Sequence, residues 1–158
     1  MRSLVPLAAA LSLIATATQA DPHPVKAGDL VIGARTVRAT IGHSPNTAAY
    51  MTIANRGSKP DRLLSAECAC AAKVEIHVMQ EMKGMMMMDD AGPVEIAAHD
   101  TVSFTPFGKH MMLTALKEKL VDGGQQEITL VFERAGRVTA SFNIRARIDA
   151  DGAPPPIK

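Results

Sequence analysis

Excess charge is the first thing this sequence lacks. Its 17 Lys and Arg residues stand against 16 Asp and Glu, which argues against nucleic acid or a strongly charged surface as a partner. Aromatic residues are scarce, with no tryptophan and a single tyrosine, Tyr50. Beyond the first twenty residues no apolar run approaches membrane-spanning length, so no membrane span is expected. Neither a His-Glu-x-x-His nor a Cys-x-x-Cys pattern occurs, which removes the common zinc signatures. No nucleophile–base constellation suggests an enzyme.

Cysteine is also nearly missing. Cys68 and Cys70 are the only two, and they are separated by one residue. Three states compete for them in an exported protein: a disulfide closing a very small ring, free thiols, or an intermolecular bond. A Cys-x-Cys copper pair is a fourth, disfavoured because persistent thiolates outside the cytoplasm need a reducing partner.

What is present begins with a leader. Arg2 makes the start cationic, residues 4–15 are apolar and uncharged, and Ala-Thr-Gln-Ala ends at Ala20 in the small-residue pattern of a cleavage site. Residues 1–20 therefore read as a signal peptide, and the product as exported and soluble. No cysteine follows the apolar run where a lipid anchor would need one. Removing Arg2 leaves 16 basic and 16 acidic residues. Residues 21–29, with Pro22, Pro24 and Gly28, read as an extended N-terminal arm. His23 would be third in the mature chain, but Pro22 has no N–H to give to a Cu(II)-chelating terminus. Residues 149–158, with three consecutive prolines, read as a flexible tail.

Between arm and tail, residues 30–148 form one domain. Short stretches rich in Val, Ile, Thr and Phe recur at 30–32, 36–41, 48–54, 62–66, 73–79, 94–96, 101–104, 110–116, 127–132 and 137–144. Gly, Pro and Asn clusters punctuate them, no convincing helix intervenes, and residues 80–92 read as a polar, Met-rich loop. This spacing predicts an all-β, antiparallel sandwich or barrel.

Methionine is the compositional anomaly, at ten residues, most of them between Met79 and Met112. Two His-x-Met pairs flank this region, His77/Met79 and His110/Met112. Alternate side chains of a strand share a face, so each pair sets an imidazole beside a thioether. Thioether and neutral imidazole suit Cu(I), a soft cation content with two to four ligands. Neither donor is a thiolate, which suits an oxidising compartment, and thioethers exchange readily, which favours handing an ion on.

The spacing His77-x10-Met88-x21-His110-x-Met112 matches the motif of the PCuAC family of periplasmic copper chaperones, and this sequence resembles that family over about residues 30 to 148. RAT at 38–40, AAYMTIANRG at 48–57, DRL at 61–63, VEIH at 74–77 and the segment around FERAG at 132–136 add to the match. A departure is Thr36, where a common family pattern has tryptophan. The resemblance implies a cupredoxin-like Greek-key β-sandwich in the periplasm, binding one Cu(I) through His77, Met88, His110 and Met112. It also implies delivery towards cytochrome c oxidase, with a copper-accepting oxidase subunit or a thiol-bearing assembly protein as partner. The tail has no His or Met, so a second, Cu(II)-binding extension is not expected there.

Other residues read more plainly. Met79 is a nearby reserve donor, and Met82 and Met85 to Met87 are a capture surface, a partner contact or loop filler. His43 and His99 are surface residues, and Glu75 and Asp100 are candidates to orient the imidazoles. Two further functions stay open: a copper scavenger that buffers the ion at the same site, and an electron-transfer cupredoxin. The second is disfavoured, because a blue-copper site needs a thiolate and both cysteines precede His77.

Overall fold

The computed structural model describes residues 23–150. The proposed leader at 1–20 and most of the proposed tail lie outside the described residues. Eleven strands run in order: β1 (Val25–Ala27), β2 (Leu30–Arg38), β3 (Thr47–Asn55), β4 (Asp61–Glu67), β5 (Ala71–Met82), β6 (Met85–Asp90), β7 (Val94–Ile96), β8 (Thr101–Phe104), β9 (Lys109–Leu116), β10 (Gln125–Phe132) and β11 (Gly136–Arg145). No helix occurs among the described residues.

Hydrogen bonding follows one path, β6-β5-β9-β8-β3-β2-β11-β10-β4-β7, with β9 also against β3 and β1 against β2. Most pairings are antiparallel; β2–β11 and the short β8–β9 contact are parallel. The path curls on itself like a sandwich. Ile53, Met111 and Leu113 from its first half and Ile32, Leu63, Ile96, Leu130 and Phe142 from its second half join one buried cluster. Alternation explains the sorting: in β9, Met111 and Leu113 are fully buried in the interior, so His110 and Met112 stand on the opposite face.

Three segments differ from the sequence expectation. Residues 30–32 and 36–41 are not two strands: β2 runs through Gly33 by a bulge, with Ala34 at φ 47°. The bulge brings Arg35 inside, where its guanidinium donates to the carbonyls of Ile32, Ser141 and His23. Part of the N-terminal arm at 21–29 is not an arm but strand β1, paired from Val25 to Ala27 with Ile32 to Leu30. Most importantly, the Met-rich stretch at 80–92 is not a loop. β5 continues to Met82, turns at Lys83-Gly84 and returns as β6. Both turn residues have positive φ, 54° and 78°, the geometry of a two-residue I′ hairpin turn.

Candidate metal centre

The hairpin decides how the predicted ligands meet. β9, β5 and β6 lie side by side, with His110 paired to His77 across β5–β9 and Asp90 paired to His77 across β5–β6. Directly opposed residues share a face, so His110, His77, Met79 and Met88 all stand on the outer face. Met88 is opposite Met79 and reaches diagonally to His77, placing its Sδ 3.1 Å from Nδ1. With the ring proton on Nδ1 this is an N–H···S contact; with the proton on Nε2, two lone pairs converge on one point, an arrangement that a cation relieves. The His77 and His110 rings are 5.9 Å apart between centroids and nearly perpendicular.

His110 is buried, at 3% exposure. Its Nδ1 donates to the Gly108 carbonyl at 3.2 Å, and Met79 N–H donates to the same carbonyl. That bond keeps the proton on Nδ1 and leaves the Nε2 lone pair free for an electrophile. Burial pushes the His110 pKa below the ordinary histidine value. The Gly108 carbonyl opposes that shift, and the neighbouring His77 charge reinforces it. Desolvation dominates, so this imidazole is held neutral, the form that can donate electrons to a metal.

Met112 is the fourth predicted ligand. It shares the outer face with His110, opposite Glu75 on β5 and Ala48 on β3. Its side chain borders a groove of about 290 Å³ with Arg38, Ile41 and Tyr50. The fold thus brings His77, Met88 and His110 into one cluster, with Met112 on the same face of β9 two residues beyond His110. Thr36, the departure from the family pattern, is buried at 1% exposure.

The two carboxylates expected to orient the imidazoles do other work. Glu75 pairs with Lys73 at 2.7 Å, and Asp100 accepts the Thr101 N–H. The orienting group for His110 is instead a backbone carbonyl, Gly108, for which no side-chain pattern could have given a signal. Cys68 and Cys70 are joined as a disulfide, so the closed-ring state is the one adopted. Among the described residues no three His, Cys, Asp or Glu side chains converge as a metal site. The cluster is two imidazoles and thioethers, a soft donor set.

Three comparisons bear on this arrangement. A copper-bound PCuAC domain from PmoF2 shares the fold with a TM-score of 0.68 and 26% identity, over 79% of this chain and 99% of that domain. The Cu(I) form of DR1885 from Deinococcus radiodurans gives 0.62 and 28%, over 85% of each chain. A protein of Leifsonia xyli subsp. xyli named "Putative lipoprotein Lxx21020" is 31% identical over 87 residues, and the match spans about half of its length. The PCuAC resemblance and the cupredoxin-like β fold are borne out. The family model described as "Putative lipoprotein LpqE-like" matches residues 30–144, and the chain belongs to this LpqE-like family.

Proposed function

We propose that this protein is an exported Cu(I) metallochaperone that holds one ion at His77, Met88, His110 and Met112 and passes it on. The observation that carries the reading is the convergence of Met88 Sδ on His77 Nδ1, with His110 directly across the strand pair. Both imidazoles and both thioethers are neutral donors, so the bound ion keeps its charge and can be displaced by a stronger, thiolate-bearing acceptor. The copper-bound states of the PmoF2 domain and of DR1885 support the choice of metal. The lipoprotein names of the family and of the Leifsonia relative support export, and the periplasm is the compartment we infer.

Delivery, rather than storage, is favoured by exposure. Met88 is 47% exposed, so one ligand stands where an acceptor can replace it. The acceptor we infer is a copper-accepting subunit of cytochrome c oxidase or a thiol-bearing assembly protein that serves it. Nothing in the cluster calls for bond chemistry, and the protein acts as a carrier, not an enzyme.

The test is a competition titration of the mature protein with Cu(I) against a coloured chelator, repeated on His110→Ala and on Cys68→Ser/Cys70→Ser. The expected result is a tight equivalent lost in the His variant and kept in the Cys variant. Copper retained without His110 but lost without the cysteines would overturn the ligand set. For the delivery step, oxidase activity in copper-limited cells should fall without the protein and return with the wild type but not with His110→Ala. Normal oxidase activity with heightened sensitivity to excess copper would favour the scavenging role instead.

A further inference from the structure

The β5–β6 hairpin carries methionine on both of its faces, and only one face belongs to the site described above. The direct pairs are Met82 with Met85, Glu81 with Met86, Gln80 with Met87 and Met79 with Met88. Since opposed residues share a face and neighbours along a strand alternate, six methionines divide into two sets of three. Met79, Met86 and Met88 lie on the His77 face. Met82, Met85 and Met87 lie on the other.

That other face is the one Ile76 turns into the core lower on the same strand. The three methionines gain nothing from this. β9 accompanies β5 only as far as the Val78–Lys109 pair, so beyond Met79 the hairpin is a two-stranded arm. Met82, Met85 and Met87 are 48%, 64% and 47% exposed. Core packing does not account for them, and neither does the His77–His110 cluster, from which the arm itself separates them.

Their geometry fits a soft cation. A directly opposed pair has Cβ atoms roughly 5 Å apart, and the next residue on the same face is about 7 Å along the strand. Methionine is unbranched and turns about three bonds, so the sulfurs of Met82, Met85 and Met87 can close on one point above the arm. Asp89, opposite Val78, puts a negative charge on this same face, while Lys83 at the tip opposes it. Each of the large apolar residues on this exposed face of the arm is a thioether, the donor that selects Cu(I).

We propose that Met82, Met85 and Met87 form a second, thioether-only site that takes a soft monovalent cation, Cu(I), on the opposite face of the hairpin from His77. The site needs no histidine and fills independently of the first. It gives the chain two copper equivalents, the outer one more exposed and more readily exchanged.

The experiment is a titration of the mature protein with Ag(I), a redox-inert stand-in for Cu(I), followed through the methionine ε-methyl resonances. Wild type should take two equivalents, one moving Met88 and the other moving Met82, Met85 and Met87 together, with core Met51 and Met111 still. Met82→Leu/Met85→Leu/Met87→Leu, which keeps the apolar volume, should keep the first equivalent and bind the second at least tenfold more weakly. His77→Ala/Met88→Leu should show the reverse. Two undiminished equivalents in the triple variant would overturn the second site. So would half an equivalent accompanied by a doubled sedimenting mass, which would mean a bridge between two molecules. Failure of the first site reads differently, as movement of the triad methyls with Met88 unmoved.

Discussion

His77 and His110 are direct cross-strand partners whose environments differ: one is partly exposed beside Met88, the other is buried against the Gly108 carbonyl. The pair joins the buried side of the cluster to its exposed side. His110 is fixed by β9 and the turn before it, whereas His77 looks out onto a hairpin that ends in solvent. The carrier role proposed above uses this combination, a buried donor to fix where the ion sits and an accessible one to let it leave.

The asymmetry predicts unequal costs of substitution. His110→Ala should destabilise the apo-protein by about 1–3 kcal/mol, because it opens a void and leaves the Gly108 carbonyl without its side-chain donor. His77→Ala should cost less than about 1 kcal/mol while still weakening Cu(I) binding. Urea unfolding of both variants without metal checks this, and equal losses of stability would contradict the proposed division of labour.

A pH dependence follows from the same burial. The His110 pKa is lowered in the folded protein, chiefly by desolvation, so the unfolded chain takes up this proton first as the pH falls. The stabilisation due to a neutral His110 is complete above the unfolded value of about 6.5 and is lost as the pH falls from there through the folded value. The urea midpoint of the apo-protein, compared with that of His110→Gln, should therefore decline between pH 7.5 and pH 5. A difference between the two proteins that is flat over this range would show that burial does not hold the proton off.

Much of the centre was legible in the sequence. Wherever one face of a strand is buried, the alternation is clean: Ile76 against His77 and Met111 against His110 put both imidazoles on the outer face without any coordinates. Residues 80–92 carry no such alternation, for a physical reason. A hairpin exposed on both faces is under no pressure to alternate, so Met85 to Met88 carry no period of two, and only the Lys83-Gly84 turn marked it. Gly33 misled in the opposite sense, because a bulge at Ala34 lets β2 continue where a glycine suggested a break. Gly108 could not be found at all, since its contribution to His110 is a backbone oxygen.

The hairpin turn offers a way to separate site geometry from core stability. Gly84 has φ 78° and open space where a Cβ would lie, so Gly84→Ala costs backbone strain alone, about 1–2 kcal/mol. That strain falls on an arm whose other residues pack little, so it should fray the hairpin and loosen Met88 from His77. Cu(I) affinity should fall several-fold with little change in the global unfolding midpoint. Lys83→Asn, which tolerates the left-handed conformation better, should leave affinity intact. Amide exchange at Met85 and Met87, whose N–H groups face Met82 and Gln80 in the hydrogen-bonded pairs of the hairpin, reports the fraying directly, and unchanged exchange in Gly84→Ala would remove the hairpin from the account of binding.

The Cys68–Cys70 disulfide supplies the last test, because its position and its chemistry point to different consequences. The bond closes a ring across one intervening residue, and a ring so small restricts the unfolded chain little, worth at most roughly 2 kcal/mol by loop-closure reasoning. Cys70 is buried beside Ala71 at the start of β5, at the opposite end of that strand from the hairpin. Reducing the bond should leave the Met88–His77 contact untouched, since five residues of β5 lie between Ala71 and His77. Cys68→Ser/Cys70→Ser is therefore expected to lower the unfolding midpoint modestly and to bind Cu(I) with wild-type affinity. If reduction instead raised the number of bound copper ions, the thiols would be competing ligands. Copper loading would then depend on the redox state of the compartment, and the thioether and imidazole donors alone would not account for it.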